Sequence, residues 1–115
     1  MTKECIFCNI VNDNNSDIIV EKSQYSLAFR DINPKAPSHF LIIPKIHISS
    51  SHLLNNDNIH IFSDMILLSN IITKTENIIN DGYRWVVNTG VNGGQTVNHL
   101  HLHLLGGRKL NWPPG

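Results

Sequence analysis

Three histidines alternate with leucines near the end of the chain, in the run Val97-Asn98-His99-Leu100-His101-Leu102-His103-Leu104-Leu105. An imidazole titrates near neutrality, so each can serve as nucleophile, acid, base or metal ligand. Alternation of polar and apolar residues is the pattern of a half-buried β-strand, because successive side chains leave opposite faces of the pleat. The pattern predicts a strand with Leu100, Leu102 and Leu104 toward the core. The three imidazoles then share the other face, spaced about 6.6 Å apart from twice the rise per residue. Such a row suits either a zinc site with an open coordination position or nucleophilic and proton-transfer work on a bound substrate. Hydrogen-bonded histidines on an ordinary sheet face are the third reading.

Immediately upstream lies Asn88-Thr89-Gly90-Val91-Asn92-Gly93-Gly94-Gln95-Thr96. Paired glycines let backbone N–H groups approach an anion, and Gln95 and Thr96 add side-chain donors at the mouth of the strand. A phosphate cradle beside a row of imidazoles points to phosphoryl or nucleotidyl transfer, although a Gly-Gly pair alone also fits a plain hairpin. A second cluster of chemistry is Cys5-Ile6-Phe7-Cys8, which holds both cysteines of the chain. Two thiols at that spacing suit a metal knuckle or redox chemistry better than a disulfide framework.

These residues need elements to position them. Strands are expected at Tyr25 to Arg30, at His39 to Pro44, at Tyr83 to Asn88 and through the histidine run, with a shorter one between Asp17 and Lys22. Two prolines make Asp31 to Pro37 a loop. Between Asn56 and Asp81, the residues Ile61, Met65, Leu68, Ile72 and Ile79 fall on a helical stripe, with Asn56 and Asp57 as capping candidates ahead and Gly82 behind. Ile59, Ile66, Ile71 and Ile78 widen its apolar face, which fits burial against a second subunit as well as a core-only reading. Strands around one long helix make an α+β domain, with the helix on one side of an antiparallel sheet. The tail from Gly106 to Gly115 ends in Trp112-Pro113-Pro114-Gly115 and must lie across a surface, its own or a neighbour's.

At 115 residues the chain is sized for one domain. Nine basic and nine acidic side chains cancel, so no overall field recruits nucleic acid or an anionic membrane, and an anionic ligand must be held locally. No apolar run reaches membrane-spanning length, and Met1-Thr2-Lys3-Glu4-Cys5 lacks the apolar core of a secretory signal. The expectation is a soluble, cytoplasmic protein without nucleic-acid or membrane partners.

His99-Leu100-His101-Leu102-His103-Leu104-Leu105 resembles the signature of the histidine triad (HIT) superfamily of nucleotide hydrolases and transferases. Gly93-Gly94-Gln95-Thr96, Leu105-Gly106-Gly107-Arg108 and the Trp-Pro-Pro-Gly ending look like its Hint branch. Ile6-Phe7, Phe29-Arg30-Asp31-Ile32, Ala36-Pro37-Ser38-His39-Phe40 and Ile43-Pro44-Lys45 extend the resemblance over nearly the whole chain. It implies a single HIT domain over 1–115, with a short N-terminal helix beside the long one, forming a homodimer in which the tail 106–115 reaches the partner's active site. The implied activity is hydrolysis of the P–N bond of adenosine or guanosine 5′-phosphoramidates, including aminoacyl-adenylate-type compounds, without a catalytic cofactor.

In that scheme His101 attacks phosphorus and carries a nucleotidyl-histidine intermediate, its other nitrogen donating to a backbone carbonyl. His103 and Thr96 sit by the phosphate and leaving nitrogen, while Asn88, the Gly94 N–H and Gln95 belong to the phosphate end of the nucleotide site. Asp31 accepts from the ribose hydroxyls; read alone it also fits a cap on the following turn. Ile6, Phe7, Ile10, Phe29 and Ile32 form the purine slot, and His39 and Trp112 have supporting roles. Dinucleoside polyphosphate hydrolysis of the Fhit type and a nucleotide-binding regulator or scaffold are the alternatives.

The cysteine pair is absent from several Hint proteins. Other HIT proteins carry it and bind zinc through it with two histidines, which here implies Cys5, Cys8, His47 and His99 around a structural ion. That assignment takes His99 away from the phosphate and leaves His101 and His103. A zinc hydrolase using all three triad histidines is the competing arrangement.

Overall fold

The computed structural model describes residues 5–13 and 17–115. Met1 to Glu4, which bear on the signal-peptide reading, lie outside the described residues. Five strands form one antiparallel sheet: β1 (Ile19–Lys22), β2 (Ser26–Arg30), β3 (Ser38–Pro44), β4 (Tyr83–Val86) and β5 (Leu102–Gly106), in the spatial order β1-β2-β3-β5-β4. Two helices cover it, α1 (Ile6–Asp13) and α2 (Ile59–Thr75). The α+β expectation holds, with the strands near their predicted places. Among the described residues, no helix is long and apolar enough to cross a membrane.

Alternation along the central strands divides the core between the two faces of the sheet. Ala28, Phe40, Ile42, Leu102 and Leu104 face α2 and pack with its Ile61, Met65, Leu68 and Ile72. Leu27, Phe29, Leu41 and Ile43 face the other way and pack with Phe7 of α1. Coverage on both faces explains why every residue of β3 is buried and why its sequence is continuously apolar from Phe40 to Pro44.

The long helix is shorter than its apolar pattern predicts. Its N-cap is Asn58 rather than Asn56 or Asp57, and the Asn58 carboxamide turns back to accept the Asn55 N–H at 2.7 Å. It ends well before Gly82 because Asn77 adopts a left-handed conformation, φ 57°. There Asn77 N–H donates to Lys74 O and Ile78 N–H to Thr73 O, the paired bonds of a Schellman stop. Ile78 is thereby folded into the core, while Ile79, expected on the helical stripe, is outside the helix and 52 % exposed.

The histidine run is the other correction. β5 begins only at Leu102, so of the three histidines only His103 occupies a paired position, opposite Leu41 of β3 and Val86 of β4. The neighbours run out: β4 ends at Val86, and β3 ends at Pro44, which has no N–H to continue a ladder. Leu100 N–H donates instead to Ile48 O at 2.6 Å. Facing survives the loss of pairing, since Leu100, Leu102 and Leu104 are all in the α2 core and the three imidazoles lie on the α1 side, where Phe7 packs edge-on against His99 and His101.

Candidate active site and metal cluster

Between α1, β1, β2 and the segment leading into β5 lies a cavity of about 860 Å³. It brings together nearly all the residues assigned to nucleotide binding: Ile6, Phe7, Ile10, Phe29, Asp31, Ile32, Asn88, Gly94, Thr96, His101 and His103. Phe7 and Phe29 meet edge to face at 5.7 Å on one wall, and Ile32 stands 91 % exposed at the rim. Ile18, Val20 and Leu41 also line the cavity and were not foreseen. Ile18-Ile19-Val20 is an unbroken apolar run, so no alternation in the sequence assigns a face to Ile18 and Val20.

Hydrogen bonds fix where the imidazole protons sit. His101 Nδ1 is 2.8 Å from His99 O; a carbonyl only accepts, so Nδ1 carries the proton and Nε2 keeps its lone pair. Lys35 N–H donates to His39 Nδ1 at 3.0 Å, which puts the proton of a neutral His39 on Nε2. That nitrogen lies 2.9 Å from His103 Nδ1, so it donates there and leaves the neutral His103 with its proton on Nε2. His101 therefore presents an acceptor and His103 a donor, their rings 5.1 Å apart. Burial, with His101 and His39 as adjacent potential positive charges, pushes His103 down to about 4 despite the carboxylate of Asp31. Burial likewise lowers His39. Both are neutral near pH 7.

Asp31, His39 and His103 lie close enough to hold an ion, but His39 cannot offer both nitrogens. With Nδ1 accepting from Lys35, Nε2 bears a proton, so the group is a hydrogen-bond chain. Asp31 caps the following turn, its Oδ1 accepting the Asn33 N–H at 2.8 Å, and its Oδ2 lies 3.5 Å from His39 Nε2.

The glycine turn is built as the pair Gly93-Gly94 demands. A Cβ on Gly93 would stand 2.3 Å from Thr89 O, and Gly94 has φ +80°. Two expected phosphate donors are otherwise engaged. Gly94 N–H donates to Val91 O at 3.0 Å, closing the turn. Gln95 does not line the cavity: its Oε1 accepts from Ser50 Oγ and Gly90 N–H, and its Nε2 donates to Ser49 O and Val97 O. It braces the turn from behind. Asn88 donates one hydrogen of Nδ2 to Gly93 O at 2.7 Å and keeps the other. Trp112 lies outside the cavity, 81 % exposed on the tail.

Beyond Phe7, Cys5, Cys8, His47 and His99 converge, their ligand atoms all within 4.8 Å of one another. Cys5 Sγ is 3.4 Å and Cys8 Sγ 3.5 Å from His99 Nδ1, Cys8 Sγ is 3.3 Å from His47 Nδ1, and the two Nδ1 atoms are 3.2 Å apart. Bonds of about 2.3 Å to sulfur and 2.0–2.1 Å to nitrogen in a tetrahedron separate ligand atoms by about 3.3–3.8 Å. The fully buried His99 donates from Nε2 to Pro44 O at 3.0 Å, which leaves Nδ1 unprotonated toward the sulfurs, the outer support metal-ligating histidines have. Burial and the adjacent Cys5 raise the Cys8 thiol, so a cation is what would favour its thiolate. The donor set fits zinc.

The HIT domain profile matches residues 12–110. The chain belongs to the HIT family. A HIT family hydrolase from Legionella pneumophila Philadelphia 1 superposes with a TM-score of 0.92 at 42 % identity, covering 97 % of this chain and 100 % of that one. A histidine triad protein from Clostridium difficile superposes with a TM-score of 0.88 at 38 % identity, over 96 % and 97 % of the two chains. A "14 kDa zinc-binding protein" of Zea mays is 43 % identical over 112 residues, 96 % of this HIT chain and 87 % of the maize protein.

Proposed function

We propose that this HIT protein is a Hint-like hydrolase of adenosine or guanosine 5′-phosphoramidates. The carrying observation is the opposed pair at the cavity floor, a His101 Nε2 lone pair beside the His103 Nε2–H. A neutral imidazole with its proton anchored on the far nitrogen is a ready nucleophile. In the proposed reaction His101 Nε2 attacks phosphorus, the P–N bond breaks, and the amine leaves with a proton taken from solvent while the His103 Nε2–H and the Thr96 hydroxyl hydrogen-bond the phosphate and the leaving nitrogen. Water then cleaves the P–N bond to His101, releasing nucleoside monophosphate and free imidazole. Phe7, Phe29, Ile6, Ile10 and Ile32 hold the purine, and Asp31 Oδ2 takes the ribose hydroxyls. Asn88 and the glycine turn hold phosphate oxygens, with Gly94 N–H exchanging its bond to Val91 O for one to phosphate. His39 supports His103 through the bond at 2.9 Å.

Cys5, Cys8, His47 and His99 hold a structural zinc, a reading supported by ligand-atom spacing and by the name of the maize relative. It pins α1 to the sheet and leaves the reaction to side chains. We assign the chain, 1–115, to a single cytoplasmic HIT domain acting as a homodimer. The edge strand β4, with Trp85 39 % exposed, and Leu67 and Ile71 of α2, 63 % and 50 % exposed, offer the surface for a second copy. Arg84 of that edge strand donates to Asn111 O at 2.9 Å, so a partner along β4 meets the tail that carries Trp112.

The test is turnover of an adenosine 5′-phosphoramidate, followed by acid quench and mass analysis. The expected result is adenylate covalently attached at His101 in the wild type. Equal rates for wild type and His101→Ala would sink the assignment.

A further inference from the structure

Of the eight residues of α1 only Phe7 is buried, and an isolated helix of that length is not stable in water. Ile10 and Val11 pack only partly buried against the same apolar cluster as Phe7, and the polar tie to the rest of the fold is the Cys5/Cys8 contact with His47 and His99. The segment Cys5-Ile6-Phe7-Cys8 thus faces two ways, its sulfurs toward those histidines and Ile6 and Phe7 into the cavity. The Phe7 ring centroid is 5.3 Å from that of His101 and 5.8 Å from that of His99. His99 is shared as well: its Nδ1 faces the sulfurs while its carbonyl receives the His101 proton.

We propose that the Cys5/Cys8/His47/His99 cluster and the nucleotide cavity are thermodynamically coupled, so that the chain binds a purine nucleotide more tightly with its ligand cluster loaded. With the four ligands drawn together, Phe7 is held as a wall of the slot and the His99 carbonyl is held under His101. Without that tie, the binding-competent placement of α1 must be selected at the expense of affinity. Linkage makes the effect reciprocal: a bound nucleotide raises metal affinity by the same factor. The inference rests on the nucleotide reading above and adds a dependence that reading does not require.

The experiment titrates AMP calorimetrically into zinc-loaded and chelator-stripped wild-type protein, with circular dichroism monitoring the fold. Zinc affinity is measured in parallel by competition against a chromophoric chelator, with and without saturating AMP. The expected result is an AMP Kd weaker by about five-fold or more in the stripped, still folded protein, and the same factor in zinc affinity. Phe7→Ala, which keeps all four ligand residues, is expected to bind zinc but show a coupling factor near one. AMP binding that ignores zinc overturns the coupling alone, and persistence of the full factor in Phe7→Ala overturns the route through that ring. Global unfolding on stripping overturns it in favour of a general staple. Zinc-loaded protein that binds no AMP sinks the nucleotide reading and this inference with it.

Discussion

His101 Nδ1 lies 2.8 Å from the carbonyl oxygen of His99, two residues earlier in the same segment. The bond places the His101 proton away from the cavity and the lone pair toward it, so His101→Ala should separate chemistry from binding. We predict that kcat for an adenosine phosphoramidate falls by about 10³-fold or more, as expected for loss of a member of a catalytic unit. The Kd for AMP should change only a few-fold, because the slot and Asp31 are untouched. Stopped-flow turnover and calorimetry check the two halves separately.

Gly93 sits where a methyl group would meet Thr89 O at 2.3 Å. Gly93→Ala must therefore open the turn that carries Asn88 and Thr96 to the cavity. Displacing groups by about 1 Å costs up to about 10²-fold in rate. We expect a loss approaching that in kcat/KM with little change in melting temperature, since Gly93 is exposed and outside both cores. A variant with full activity would show that the turn does not position phosphate.

Much of this arrangement is legible in the sequence because it follows from period. Alternation in Leu27 to Phe29 and in Phe40 to Ile43 places side chains on the two faces, and the leucines between the triad histidines reach the α2 core as their spacing requires. Partner-dependent features are not legible. β5 starts late because Pro44, in a distant strand, cannot donate, and α2 stops at Asn77, whose left-handed turn competes with an apolar pattern that runs on to Ile79. Engagement of Gly94 inside its own turn, of Gln95 by Ser49 and Ser50, and of Lys35 N–H by His39 depends on atomic contacts that residue spacing does not encode.

His103 supplies a pH prediction. Its pKa falls from an ordinary value near 6.5 to about 4 in the folded protein, first through burial and then through His101 and His39. Between those values the unfolded chain binds a proton that the native state refuses, so stability rises with pH across this window. Melting temperature should therefore drop as pH is lowered from 6.5 toward 4. His103→Asn should flatten part of that slope. Nitrogen-detected NMR should find the His103 ring neutral and protonated on Nε2 at pH 6; a charged ring there would contradict the hydrogen-bond chain.

Asp64 of α2 ties the helix to the β1–β2 turn by accepting from the hydroxyls of Ser23 and Ser26 and from Tyr25 N–H. Burial opposes its ionisation, but these bonds and Lys45 outweigh it and hold the carboxyl below its usual range. The stabilisation is present above the ordinary carboxylate pKa and lost as pH falls through the lowered one. Asp64→Ala should cost about 1–3 kcal/mol in urea denaturation. Rate per folded molecule should be unchanged, because Asp64 does not line the cavity.

The tail gives the final prediction. Arg108 donates from Nε and Nη2 to Lys35 O, and Arg84 donates to Asn111 O, so the chain is fastened up to the residue before Trp112. Trp112 itself is 81 % exposed and outside the cavity of its own protomer. Deleting Trp112 to Gly115 should therefore leave the melting temperature and AMP affinity of the fold nearly unchanged. If the tail serves the partner's site in a homodimer, the deletion should alter the ranking of leaving groups, measured as kcat/KM across a series of aliphatic and aromatic phosphoramidates. Mixing the truncated chain with a full-length His101→Ala chain should restore the wild-type ranking in hybrid dimers, where the intact tail meets the competent site. An unaltered ranking in the truncated protein would remove the tail from the site.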